Sequence, residues 1–257
     1  MRNMRVRFSG ETNIGMKRKH NEDSFLIPDY ERVAVVADGM GGHASGEVAS
    51  GMAVQCVGEY LQSTLEQPIV TWPFKLDTGV RHDTHRLTIA IKHANQRIYE
   101  TAQRDEEKHG MGTTIVAALF SDDRVIVAHV GDSRCYRLRR NQLIQLTEDH
   151  SLLNDYMKMK RLSGEDGARF TQKNVIVRAL GMKESVQVDT MIDQPQIDDI
   201  YLLCSDGLSG MVSDPGLAEI MRSESDLDNA CEKLIRAAND AGGTDNITAI
   251  LCRIERL

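Results

Sequence analysis

The chain has 257 residues, 41% hydrophobic and 27% charged, with a formal net charge of −7 at pH 7. That length and apolar content support one large core, expected as a single domain over 1–257, and the acidic balance argues against nucleic acid, whose phosphates call for clustered Lys and Arg. The basic start from Met1 to Arg7 leads into no apolar stretch, and no run reaches the roughly 18 residues of a membrane span. Five widely spaced cysteines without any Cys-x-x-Cys fit neither a disulfide framework nor a zinc ribbon, so the expectation is a cytoplasmic monomer that binds no membrane.

From Val6 to Ala37 the pattern predicts strands, with turns at Asn13-Ile14-Gly15 and Pro28-Asp29. The period then changes. Val48, Ala49, Met52, Ala53, Cys56, Val57, Tyr60 and Leu61 share one face of a helix over 47–61, and Leu87, Ala90, Ile91, Ala94, Ile98 and Ala102 mark another over about 84–104. Residues 67–81 read as an irregular connection. Strands follow at Thr113–Phe120, Arg124–Val130, Cys135–Leu138 and Leu143–Leu146, joined by turns short enough to require antiparallel pairing.

Residues 150–180 are weakly patterned and predict a short helix and then a mobile flap. Its Lys158, Lys160, Arg161, Arg169 and Lys173 make it a basic loop, and loops on a rigid scaffold commonly carry recognition. Strands resume near 186–192 and 199–204, and Ser213 or Asp214 caps a helix pair with Pro215 in its first turn. Asn246–Ile254 closes the chain as a strand. This order suggests an α+β fold of two antiparallel sheets faced by helix pairs, not a parallel doubly wound sheet.

Five short acidic patches punctuate these elements: Arg18 to Asp23, Ala37 to Gly42, His129 to Arg134, Cys204 to Gly207, and Gly243 to Asn246. Three of them directly follow apolar runs, Val33–Ala37, Val125–Val130 and Ile200–Cys204. A carboxylate at the end of a buried strand is poorly explained by packing. If the strand ends meet, several carboxylates share one cleft, an arrangement that needs positive charge and suits hard divalent cations such as Mg²⁺ or Mn²⁺.

Other chemistries fit less well. Gly39-Met40-Gly41-Gly42-His43-Ala44 matches a dinucleotide-binding template, but Asp38 would oppose a pyrophosphate and no acid-bearing parallel strand follows the helix. Glycine here serves better to let Asp38 and the Gly39 carbonyl both reach a cation. Cys204 lacks the anion-cradling loop of a cysteine phosphatase and reads as core, while Gly207-Leu208-Ser209-Gly210 is no nucleophile elbow. His82 and His85 read as surface or helix-start residues. Arg137-Leu138-Arg139-Arg140 reads as a solvated turn.

The five patches in this order, with Gly112-Thr113-Thr114 and Ile247-Thr248, resemble the signature of the metal-dependent protein phosphatases, the protein phosphatase 2C family, and Met40 in the glycine loop resembles its bacterial branch. The resemblance spans Arg18 to Asn246. It implies a four-layer α-β-β-α sandwich with two Mn²⁺ or Mg²⁺ ions at one edge. By that resemblance Asp38 bridges the ions, Asp206 and Asp245 hold the first, and the Gly39 carbonyl with Glu22 and Asp23 serves the second. Arg18 grips the substrate phosphate. Asp132 matches the aspartate of a third, weaker ion, although Gly210 stands where relatives place a supporting acid. Met40 replaces a histidine proposed elsewhere as general acid, leaving His43 as the candidate. The implied activity is hydrolysis of phosphoserine and phosphothreonine in proteins, opposing a Ser/Thr kinase. A hydrolase of small phosphate esters and an inactive phosphoprotein-binding module are the competing readings, the latter requiring a broken set of ligands.

Overall fold

The computed structural model describes residues 4–41, 45–65, 82–121, 123–160 and 175–257. Two antiparallel sheets form its centre. The first takes β1 (Met4–Asn13), β11 (Ile247–Arg256), β10 (Ile200–Cys204), β7 (Arg134–Arg139) and β8 (Gln142–Gln145) in that spatial order. The second runs β2 (Asp23–Leu26), β3 (Val33–Met40), β5 (Ile115–Phe120), β6 (Val125–Val130) and β9 (Asp189–Asp193), with the two-residue β4 (Gly112–Thr113) paired to the end of β3.

The uninterrupted apolar runs are strands buried on both faces. Along β3, Val33, Val35 and Ala37 face helices α1 (Ser45–Ser63) and α2 (His82–Arg104), while Ala34 and Val36 face the other sheet. The inter-sheet layer also holds Phe120, Tyr201, Leu203, Ile250 and Cys252. On the far side, α5 (Asp214–Ser223) and α6 (Leu227–Asp240) cover the first sheet through Leu217, Leu227, Leu234 and Ile235. The result is four layers, helix on sheet on sheet on helix. Each fully buried Val, Leu or Ile contributes about 1.5–3 kcal/mol.

Local chemistry sets the element ends. Asp226 caps α6 by accepting from the Asp228 and Asn229 N–H groups, and Ser213 stands at the N-cap of α5 with proline in its first turn. Arg140 and Asn141 both adopt positive φ and make the tight β7–β8 turn. The expected solvated Arg137–Arg140 cluster needs correction. Arg137 pairs with Asp193, and Arg139 grips Asp199 at 2.8 and 2.6 Å, so two of its three arginines tie β7 to acids on and after β9. All five cysteines are buried and free. Among the described residues no helix is long and apolar enough to cross a membrane.

The short helix expected after residue 150 is α3 (Leu152–Lys160). Residues 161–174, and with them Arg161, Arg169 and Lys173, lie outside the described residues, as do the 67–81 connection and His43. On either side the chain is tied down. Leu152 N–H donates to Val175 O, Val177 N–H to His150 O, and Thr113 and Leu180 exchange two backbone bonds. Lys158 pairs with Glu148 at 2.8 Å.

Candidate active site

Alternation along β3 puts Asp38 on the face of Ala34 and Val36, at the mouth of the inter-sheet layer. Its register partner on β2 is Asp23. The first sheet brings Asp206, which opens the short helix α4 (Asp206–Ser209), and Asp245, which precedes β11. Asp132 follows the end of β6. The strand ends therefore meet, and Asp38 lies in the field of Asp23, Asp206, Asp132 and Asp245.

Burial, reinforced by these neighbours, holds the Asp38 carboxyl well above its usual range. Burial also pushes Asp23 and Asp132 up to about 7, and it raises Asp206, with Asp245 adding to the effect. Glu22 is raised by burial as well, against the pull of Arg18. Two buried carboxylate oxygens, Asp23 Oδ1 and Asp132 Oδ1, have no hydrogen-bond partner among the described residues. Crowded carboxylates with unpartnered buried oxygens and no nitrogen or sulfur donor among them are a donor set that fits hard divalent cations.

Asp23 is fixed from the opposite sheet. Ser205 Oγ and Thr248 Oγ1 each donate to its Oδ2 at 2.7 Å, which leaves Oδ1 aimed away from those hydroxyls. Asn246 fixes the segment before it. Its Nδ2 donates to the Ile14 and His20 carbonyls and its Oδ1 accepts the Glu22 N–H at 2.8 Å, so one side chain holds the loop carrying Arg18. Arg18 Nη2 donates to Asp245 Oδ2 at 2.6 Å, and the guanidinium stays about half exposed at the rim of the cluster.

Gly39 is required by close approach. A Cβ there would lie 2.1 Å from Gly46 O and 2.6 Å from Glu22 O, so only glycine lets α1 and the segment entering β2 meet beside Asp38. Thr113 Oγ1 donates to the Asp38 carbonyl, and Thr114 Oγ1 accepts the Asp38 N–H while bonding Ser133 Oγ. A cavity of about 300 Å³ opens between Asp132, Asp206 and Asp245, with Gly210 and the Arg134–Asp149 pair on its walls.

His129, His150 and Asp189 gather elsewhere, with ligand atoms within 4.8 Å of one another. That trio is already charge-compensated. Arg178 Nη1 lies 2.8 Å from Asp189 Oδ1 and 3.0 Å from His150 Nε2, and His150 spends Nδ1 on the Gly131 N–H. We read it as a brace for the turn before Asp132.

The acids, Gly39 and Arg18 are legible in the sequence patches; the contacts made by Thr248, Asn246, Asp149 and His150 are not. For Asn246, an amide directly beside Asp245 was the available signal.

The family model for protein phosphatase 2C matches residues 16–252. The serine/threonine phosphatase stp of Listeria welshimeri is 39% identical over 243 residues, covering 93% of this chain and 92% of that one. The crystal structure of the serine/threonine phosphatase PstP/Ppp from Mycobacterium tuberculosis superposes with a TM-score of 0.85 at 31% identity, covering 97% of this chain and 99% of that one. The catalytic domain of PstP in complex with two manganese ions gives 0.82 at 30% identity, with 98% and 99% covered. With residues 16–252 matched by the family model and 93% of the chain covered by a relative 39% identical to it, this chain belongs to the protein phosphatase 2C family.

Proposed function

We propose that this serine/threonine phosphatase releases phosphate from phosphoserine and phosphothreonine side chains of proteins by direct transfer to water at the acidic cleft. The observation that carries the proposal is the convergence of Asp23, Asp38, Asp132, Asp206 and Asp245 with two buried carboxylate oxygens left unpartnered. Asp38 would be shared by two Mn²⁺ or Mg²⁺ ions, with Asp206 and Asp245 on one, and Glu22, Asp23 and the Gly39 carbonyl on the other. Asp132 would serve a third, weaker site, since Gly210 adds no carboxylate. When bound, such ions acidify water and polarise phosphoryl oxygens.

The chain's own residues do the rest. Arg18 holds Asp245 with one nitrogen, and the remaining guanidinium donors are available for two bonds to a phosphate. Asn246 keeps that arginine's loop in place. Ser205 and Thr248 orient Asp23 and help it to ionise, because both hydroxyls donate to the charged form.

A covalent cysteine route is disfavoured at Cys204, two residues before Asp206. Cys204 is fully buried, and burial pushes its thiol up to about 12. We place the phosphatase in the cytoplasm as a monomeric single domain acting against a Ser/Thr kinase. Initial rates on a phosphothreonine peptide beside p-nitrophenyl phosphate, both with Mn²⁺, test the substrate class. Efficient turnover of the peptide is expected. Turnover of the aryl ester alone would make the protein a small-ester hydrolase.

A further inference from the structure

A groove of about 420 Å³ lies beside the reaction centre, with Met40, Ile176, Val177, Met182 and Val186 forming its apolar part and Arg178, Lys183, Ser185 and Gln187 the rest of its lining. It is continuous with the site through β3. Asp38 and Met40 are two residues apart on one strand, so their side chains emerge on the same face, about 7 Å apart along it. Met40 pairs with Gly112, and a Cβ on Gly112 would stand 3.1 Å from Met182 Sδ. The missing side chain at residue 112 therefore leaves room for Met182 to come alongside Met40.

The far wall is built rather than loose. Leu180 exchanges backbone bonds with Thr113, extending the ladder at the end of β3. Buried Asn95 on α2 donates to the Lys183 and Glu184 carbonyls and accepts the Gly181 N–H. Gly181 sits at φ 82° with Ile98 Cγ2 2.4 Å from where a Cβ would be, a position closed to other residues. On this support Met182 remains 52% exposed and Val177 45% exposed, an apolar surface turned to solvent beside a strongly polar cleft.

We infer that this groove receives an apolar side chain of the phosphoprotein substrate, two residues from the phosphorylated Ser or Thr. The inference rests on the protein phosphatase reading above and names a sequence preference for it. In an extended peptide, residues i and i+2 point to one side and are spaced about 7 Å apart. A phosphoresidue facing Asp38 thus presents its second neighbour over Met40, in step with β3. Leu or Met fits the flexible, methionine-lined part of the walls.

The test is kcat/KM with Mn²⁺ on phosphothreonine peptides in a Gly/Ser background, with Leu placed singly at −2, −1, +1 or +2. Leu at −2 or +2 should raise kcat/KM by about tenfold over the Leu-free peptide, and Leu at −1 or +1 by much less. In Met182→Asp, an exposed and foldable change, the ratio of the favoured Leu peptide to the Leu-free peptide should fall to about one or below. Equal turnover of all peptides by the wild type, or a preference that survives Met182→Asp, would overturn the inference while leaving the phosphatase reading intact. If p-nitrophenyl phosphate is turned over and no peptide is, the protein phosphatase reading falls and takes the inference with it.

Discussion

Asp132→Asn should stabilise the chelated protein while damaging its function, and the size of that gain should depend on pH. Burial and the neighbouring Asp206 and Asp149 raise the Asp132 carboxyl from 3.8 to about 7 in the fold. Between those values the native state binds a proton that the unfolded chain releases. Stability is then fully present below 3.8 and falls as pH rises, by about 1.4 kcal/mol per pH unit, until the group ionises in the fold. The accumulated cost above pH 7 is about 4 kcal/mol at most, and solvent entering the cleft reduces it to roughly 2–3 kcal/mol. Asparagine keeps the shape without the titration. Thermal unfolding in excess chelator should therefore show the variant and wild type alike near pH 4, and the variant higher by roughly 4–12 °C at pH 8, at 2–4 °C per kcal/mol for a chain of this size. A gap that does not widen with pH, or a variant less stable at pH 8, would refute the account of the acidic cleft.

Arg18→Ala should raise KM for a phosphopeptide by roughly 10–100-fold with a smaller change in kcat, because the guanidinium binds phosphate in ground and transition states alike; steady-state kinetics would show it. Arg18→Lys should recover only part of that loss, since an ammonium cannot make two parallel bonds. Asn246→Ala removes three side-chain bonds to the loop between Ile14 and Glu22 and should cost about 2–4 kcal/mol, read as a lower Tm together with a raised KM. Thr248→Val keeps the shape but withdraws one donor from Asp23. The Mn²⁺ concentration for half-maximal activity should rise by about tenfold, at an unchanged peptide KM.

The layers were legible because the runs at 33–37, 115–120 and 200–204 are apolar at every position and that at 125–130 at all but His129, a pattern that suits strands covered on both faces. Asp38, Asp132 and Asp206 were legible because each follows such a run at its end. What a continuous apolar run does not encode is which side chains face which layer, and that decides that Asp38 and Met40 share the cleft face while Gly39 meets α1. Contacts between segments far apart in the chain were hidden as well. Ser205 and Thr248 reach Asp23 across 182 and 225 residues, and no local pattern marks them as partners. Arg137 and Arg139 misled for the same reason, since their charges look solvated until β9 and the segment after it bring Asp193 and Asp199 alongside. The short helix at 206–209 left no periodicity to find, being barely one turn long.

The most direct test of the central claim is the initial rate of phosphate release from a phosphothreonine peptide as a function of free Mn²⁺, for the wild type and Asp38→Ala. The cleft predicts a saturable dependence that falls to background in excess chelator, and a variant whose kcat stays lower by several orders of magnitude at every Mn²⁺ concentration. Undiminished wild-type turnover in chelator, or a variant with near-normal rates, would contradict it.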